Sequence, residues 1–201
     1  MKIIVWNSQD KCVADYHRLI RGCDVLCLLD CGQWTVPVYA LQIQNGLFHW
    51  KDEHEGLSYD IFYCLEKVAF VCRDGLYSGE SVLYSIHSNI GSLIGIRLQD
   101  DFWLFAHHEP NLVNAYHIGE FYLREISDRF RKAAFIADFK EKSYSWAQET
   151  VGKLYCIALP EGYYPHTVNY LFTIHVACTD LYLLEGYSET PNQPTFFELD
   201  I

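Results

Sequence analysis

Short apolar runs that end on a polar side chain recur along this chain, and they set the expected elements. Lys2 to Asn7 is β-branched and aliphatic until the amide of Asn7, which predicts a strand. Ala14 to Arg21 reads as a short helix closed by Gly22, a residue suited to the left-handed stop. Asp24 to Leu29 is a second apolar strand, and it delivers Asp30. A strand, a helix and a strand within thirty residues predict a right-handed crossover. That crossover lays the two strands side by side and brings Asn7 and Asp30 to one lip.

From Tyr59 the pattern changes to short strands over 59–64, 67–72, 81–86, 93–98 and 102–106. Asp74-Gly75 and Asp100-Asp101 supply tight turns, so antiparallel neighbours are expected. Residues 45–57, with Gly46, Gly56 and mixed charges, read as loop. The run at 102–106 ends in His107-His108-Glu109-Pro110, where proline stops the strand. Asn114 to Lys132 carries an apolar stripe at helical spacing, and a strand at 133–137 follows at once. A helix over 144–151, strands over 154–159, 168–174 and 181–184, and an irregular tail from Ser188 complete the expectation. With no repeat, low-complexity tract or linker, one domain over 1–201 is expected.

Phe135-Ile136-Ala137-Asp138-Phe139-Lys140 concentrates the pattern: a buried strand that ends in a carboxylate and then a lysine. A rigid strand ending at an open loop is where such scaffolds hold reactive groups, although an acid there also serves as a helix cap. Collected along the chain, the polar groups beside or at strand ends are Asn7, Asp30, His107, Asp138, Asn169 and Asp180. Hard oxygen ligands together with hydrogen-bond donors are the chemistry of a magnesium site acting on a phosphate. Each of these residues also has a plain reading as a cap or turn.

Composition narrows the setting. Half of the 201 residues are hydrophobic, so a packed core is expected, and no apolar run approaches a membrane span of roughly 20 residues. The first residues read directly as a strand and lack the features of a secretory signal, which leaves the compartment open. A net charge of −11 opposes unspecific attraction to nucleic acid, though not a local groove that binds it. Most of the eight cysteines sit in apolar strand-like runs, where reduced buried thiols are expected rather than a zinc site. The abundant Tyr and Trp, such as Trp34 and Tyr163-Tyr164, read as packing rather than as a base-stacking platform.

Several stretches in order resemble the successive motifs of the endonuclease/exonuclease/phosphatase superfamily. They are Trp6-Asn7-Ser8-Gln9, Asp24 to Asp30, Leu93-Ile94-Gly95-Ile96-Arg97-Leu98 with Phe105-Ala106-His107, Phe135 to Phe139, and Val168-Asn169-Tyr170. The Leu93 to Arg97 stretch and the histidine after it are most similar to the catalytic subunit of cytolethal distending toxin. The resemblance implies an α+β fold of the deoxyribonuclease I-like type. This is a four-layer α/β/β/α sandwich in which two mostly antiparallel sheets pack face to face between flanking helices.

It also implies magnesium-dependent cleavage of a phosphate ester. Carried over by position, Asn7 contacts phosphate or metal, and Asp30 replaces a metal-binding Glu. His107 is the active-site histidine, oriented by Glu66, and Asp138 aligns the attacking water. Asp180 falls with the metal ligands, and Lys140, Asn169 and Arg97 with the phosphate-binding set. The implied partners are a phosphate-containing substrate or nucleic acid, or a protein.

The departures matter as much. The family's Gly-Asp-Phe-Asn is Ala137-Asp138-Phe139-Lys140, its Leu-Asp-Tyr is Val168-Asn169-Tyr170, and its closing Ser-Asp-His is matched to Thr179-Asp180-Leu181. Lys140 then stands either for a metal's charge or as a point charge toward phosphate. The acid and histidine of the family's second dyad are lost together. This avoids the uncompensated buried acid that losing the histidine alone would leave. His166 and His175 are the nearby substitutes. The expectation is a scaffold that binds as an effector or toxin-like subunit without efficient catalysis, with an active enzyme of altered substrate as the alternative.

Overall fold

Alternation along the strands builds two sheets that share one apolar layer. In the computed structural model the described residues are 1–8, 16–85, 92–108, 129–139, 153–155, 168–184 and 193–201; at 66, 82–85, 92, 138–139, 153–155 and 168–170 the description is of backbone alone. The first sheet takes β1 (Lys2–Asn7), β2 (Val25–Gly32), β3 (Leu41–Gln44), β4 (Leu47–His54), β5 (Leu57–Cys64), β6 (Glu66–Arg73), β13 (Ala177–Leu183) and β14 (Thr195–Asp200). Its order is β13-β14-β1-β2-β6-β5-β4-β3. The second takes β7 (Tyr77–Ser85), β8 (Ser92–Leu98), β9 (Phe102–His108), β10 (Lys132–Phe139), β11 (Lys153–Tyr155) and β12 (Val168–Ile174). Its order is β11-β12-β10-β9-β8-β7.

Each sheet is antiparallel except for one parallel pair, β1 with β2 and β9 with β10. Parallel neighbours need a crossover, and the first is made through α1 (Tyr16–Ile20), as the opening pattern predicts. Between the sheets, Ile3, Val5, Val25, Cys27, Leu29 and Phe70 of one meet Ile94, Ile96, Leu104, Ala106, Ala134 and Ile136 of the other. The alternate residues Ile4, Trp6, Leu26 and Leu28 face outward and are packed with Leu19 and Ile20 of α1. This is the expected sandwich of face-to-face sheets.

Two expectations are corrected. Residues 47–54 are strand, because β4 pairs with β5 over eight consecutive positions, from Leu47↔Cys64 to His54↔Leu57. The tail is not irregular throughout: Thr195–Asp200 fills the gap between β1 and β13 and buries Phe197 and Leu199 in the shared core. The helices expected over 114–132 and 144–151 fall almost wholly on residues outside the described ones. None of the described helices is long and apolar enough to cross a membrane.

Candidate functional site

Strand direction brings one end of both sheets together. β1 and β2 run in parallel, with Asn7 opposite Leu29, so Asn7 and Asp30 do reach the same lip. Asn7 follows Ile3 and Val5 on the core-facing side and is 2% exposed. On the other sheet, β9 and β10 are parallel with His107 opposite Ala137, so His108 and Asp138 stand next along their strands at the matching lip. Glu66 starts β6 opposite Gly32, and Asn169 is paired with Asp138. Their backbones belong to the lip, while their side chains, and Lys140 entirely, lie outside the described residues.

The histidine at this junction is His108. Phe102, Leu104 and Ala106 face the first sheet, and alternation puts His108 with them. His107 falls on the other side with Trp103 and Phe105, whose rings stack at 5.7 Å and meet Phe130. Both histidines are buried, at 1% and 5%. His108 Nε2 lies 3.5 Å from Asp30 Oδ1, a contact from one sheet to the other. His108 is the residue that the sequence reading passed over.

Asp30 reaches this contact through a backbone irregularity. Val25, Cys27 and Leu29 face the core, so regular alternation would send residue 30 to the outer face. Instead Leu29 opposes Val68 while Gly32 opposes Glu66, so three steps on β2 match two on β6. This is a β-bulge, a device that re-aims a side chain. Asp30 has φ +49° and Gly32 φ +67°. A non-glycine residue in the left-handed region costs on the order of 1–3 kcal/mol and persists only where its surroundings over-determine it.

Two predicted site residues are not brought here. Asp180 pairs with Glu198, which pairs with Lys2, so it stands at the opposite end of the first sheet from Asn7. It is exposed, and its Oδ1 accepts the Leu181 N–H at 2.9 Å. Arg97 pairs with Trp103, five residues or roughly 17 Å of strand from His108. Its guanidinium holds Asp101 at 3.0 Å and Glu80, beside a cleft of about 340 Å³. His175, offered as a substitute histidine, has φ +54° in the turn after β12, also at the far end.

The lip end of β14 is Thr195, opposite Val5. The connection that enters it, 185–194, includes Ser188-Glu189-Thr190 and no histidine.

Among the described residues no group of three His, Cys, Asp or Glu side chains is gathered to hold a metal ion. Magnesium keeps several waters and takes one or two carboxylates, and Asp30 is the carboxylate described at the lip.

No family model and no curated protein matches the chain. Solved structures do. The Haemophilus ducreyi cytolethal distending toxin aligns over 100% of this chain and 98% of that one, at 15% identity and a TM-score of 0.66. D. rerio TDP2, complexed with a single-strand DNA product, aligns over 100% and 99% at 11% identity and a TM-score of 0.61. The Neisseria 3′ phosphatase NExo, bound to a product DNA hairpin, aligns over the whole of both chains at 14% identity and a TM-score of 0.58. The fold is the deoxyribonuclease I-like fold, shared with these structures.

Proposed function

We propose that this chain binds a phosphate-bearing ligand, first of all a nucleic-acid strand, at the lip where its sheets meet, and does so without efficient hydrolysis. The observation that carries this reading is the pairing of a kept half-site with a missing one. Asn7 and the Asp30–His108 contact are in place. The sequence 185–194, which joins β13 to β14, contains no histidine, and Asn169 stands where the family has an acid.

In this reading Asp30 aligns the His108 imidazole, which donates to a phosphate oxygen, and Asn7 donates its amide N–H to another. Asp30 and Asn7 would also hold magnesium, which supplies positive charge against the phosphate. Asp138, and Lys140 in the sequence after β10, are assigned the parts of an acid and a point charge. Without a second imidazole facing the lip among the described residues, the leaving oxygen lacks the donor that general acid catalysis provides, a deficit of about 10²- to 10⁴-fold in rate. The DNA in the TDP2 and NExo structures supports nucleic acid as the first ligand to test.

Plasmid nicking and oligonucleotide binding test the proposal together. With magnesium or manganese, nicking is expected to stay at the buffer level. A fluorescent single strand is expected to bind, and Asp30→Ala and His108→Ala to weaken binding about tenfold or more, as loss of a charge-assisted contact does. Robust nicking that His108→Ala abolishes would establish the second reading, an active phosphoesterase, which the strained placement of Asp30 favours.

A further inference from the structure

Four successive backbone carbonyls on the bulge each accept a hydrogen bond, from donors on three separate parts of the chain. The Leu29 carbonyl takes the Ser8 N–H at 2.9 Å, and the Asp30 carbonyl takes the Ser8 hydroxyl at 3.2 Å. The Cys31 carbonyl takes the Trp34 indole N–H at 3.2 Å. The Gly32 carbonyl takes the Tyr63 hydroxyl at 3.1 Å, and that same hydroxyl accepts the Trp34 backbone N–H at 3.1 Å. The donors are themselves held. Ser8 and Tyr63 are each 1% exposed, and the Trp34 ring stacks on Tyr63 at 5.7 Å and 11°. Trp50 closes edge-on against Trp34, with centroids 6.2 Å apart.

A regular strand at this place would pair its carbonyls alternately with the β1 and β6 sides and turn residue 30 to the outer face. The bulge interrupts the β6 side of that ladder, and what changes at the lip is the position of one carboxylate, now across from His108. We infer that Ser8, Trp34 and Tyr63 are positioning residues that lock the Asp30 bulge in place and so set the aim of the lip's carboxylate toward His108 and a divalent cation. The cation half of this inference rests on the reading proposed above; the backbone half stands on geometry alone. The division of labour is specific. Ser8 ties the bulge to β1, Tyr63 ties it to β5, and Trp34 closes the loop between them. Outer partners of a ligating carboxylate are commonly worth about 10- to 100-fold in metal affinity.

Ser8→Ala and Tyr63→Phe each remove one hydroxyl and keep the side-chain body, while Ile61→Val serves as a control that loosens the same outer apolar layer without touching the bulge. Two measurements are made on each full-length variant: a crystal structure of the metal-free protein, and Mn²⁺ affinity by calorimetry. The expected result is that both hydroxyl variants lose the positive φ at residue 30 or open the Asp30–His108 contact. Mn²⁺ affinity falls about tenfold or more in both and is unchanged in Ile61→Val. Wild-type geometry at Asp30 in both variants would overturn the inference. Wild-type geometry lost but Mn²⁺ affinity kept would overturn its cation half. A wild-type protein that binds no Mn²⁺ defeats the metal reading of the site instead, and the crystal structures still decide the clamp. Should Tyr63→Phe fail to fold, Trp34→Phe removes the donor to the Cys31 carbonyl while keeping an aromatic ring there, and reads the same two quantities.

Discussion

Asp30 carries the most information per atom. Its backbone is strained and its carboxylate meets an imidazole of the other sheet, so stability and site geometry are separable there. Asp30→Gly relieves the left-handed strain and is expected to leave unfolding free energy within about 1 kcal/mol of wild type while removing cation and strand binding. Asp30→Val places a β-branched residue at positive φ and is expected to cost about 1–3 kcal/mol. Urea unfolding of the two variants checks the pair, and equal losses would contradict the assigned bulge. The neighbouring histidines show why a sequence does not choose between them. On β9 both alternating sets are apolar up to the end, Phe102, Leu104 and Ala106 against Trp103 and Phe105, so no polar stripe marks the outer face.

At the scale of elements, α1 and β4 build a second, outward cluster. Tyr16 donates to Asp52, and the His17 ring stacks on His54 at 3.7 Å with Tyr59 nearby. Burial lowers the His17 pKa below its ordinary 6.5, and the His54 ring and Arg21 lower it further, against the opposite pull of Asp52. The folded chain therefore takes up this proton less readily than the unfolded chain. The stabilising effect is present above pH 6.5 and is lost as pH falls below it toward the depressed folded value. Urea midpoints at pH 7.5 and 5.5 are expected to differ less in His17→Phe than in wild type, and an unchanged difference would contradict the assignment. The same elements explain two misreadings. β4 carries Lys51, Asp52, Glu53 and His54, and its mixed charge resembles a loop until pairing with β5 accounts for it. β14 follows Pro191 and Pro194, which break the local pattern, yet Phe196 to Leu199 alternates as a strand once β1 is beside it.

Across the whole molecule, the two apolar layers account for the described cysteines. Among the described residues Cys23, Cys27, Cys31, Cys64 and Cys72 are buried and in no disulfide, and Cys178 is partly exposed. Burial pushes the Cys23 thiol up to about 12 and that of Cys72 well above its usual value. Such thiols are poor nucleophiles, since the thiolate is the reactive form. Iodoacetamide labelling of native protein, mapped by peptide mass spectrometry, is expected to modify Cys178 well before Cys23 or Cys72. Equal labelling of Cys72 would mean that the layer between the sheets is open.

Much of this fold was legible from local pattern, because alternation and turn chemistry act over a few residues. The strand, helix and strand of the first thirty residues, the hairpins from Tyr59 onward, and Asn7 and Asp30 as neighbours at one lip were all determined by the sequence itself. What only the tertiary structure decided depends on which strand lies opposite which. The bulge exists only against β6, the choice of His108 over His107 depends on which face of β9 meets the first sheet, and the removal of Asp180 and Arg97 from the lip depends on strand direction. These relations join residues far apart in the chain, and a one-dimensional pattern carries no term for them.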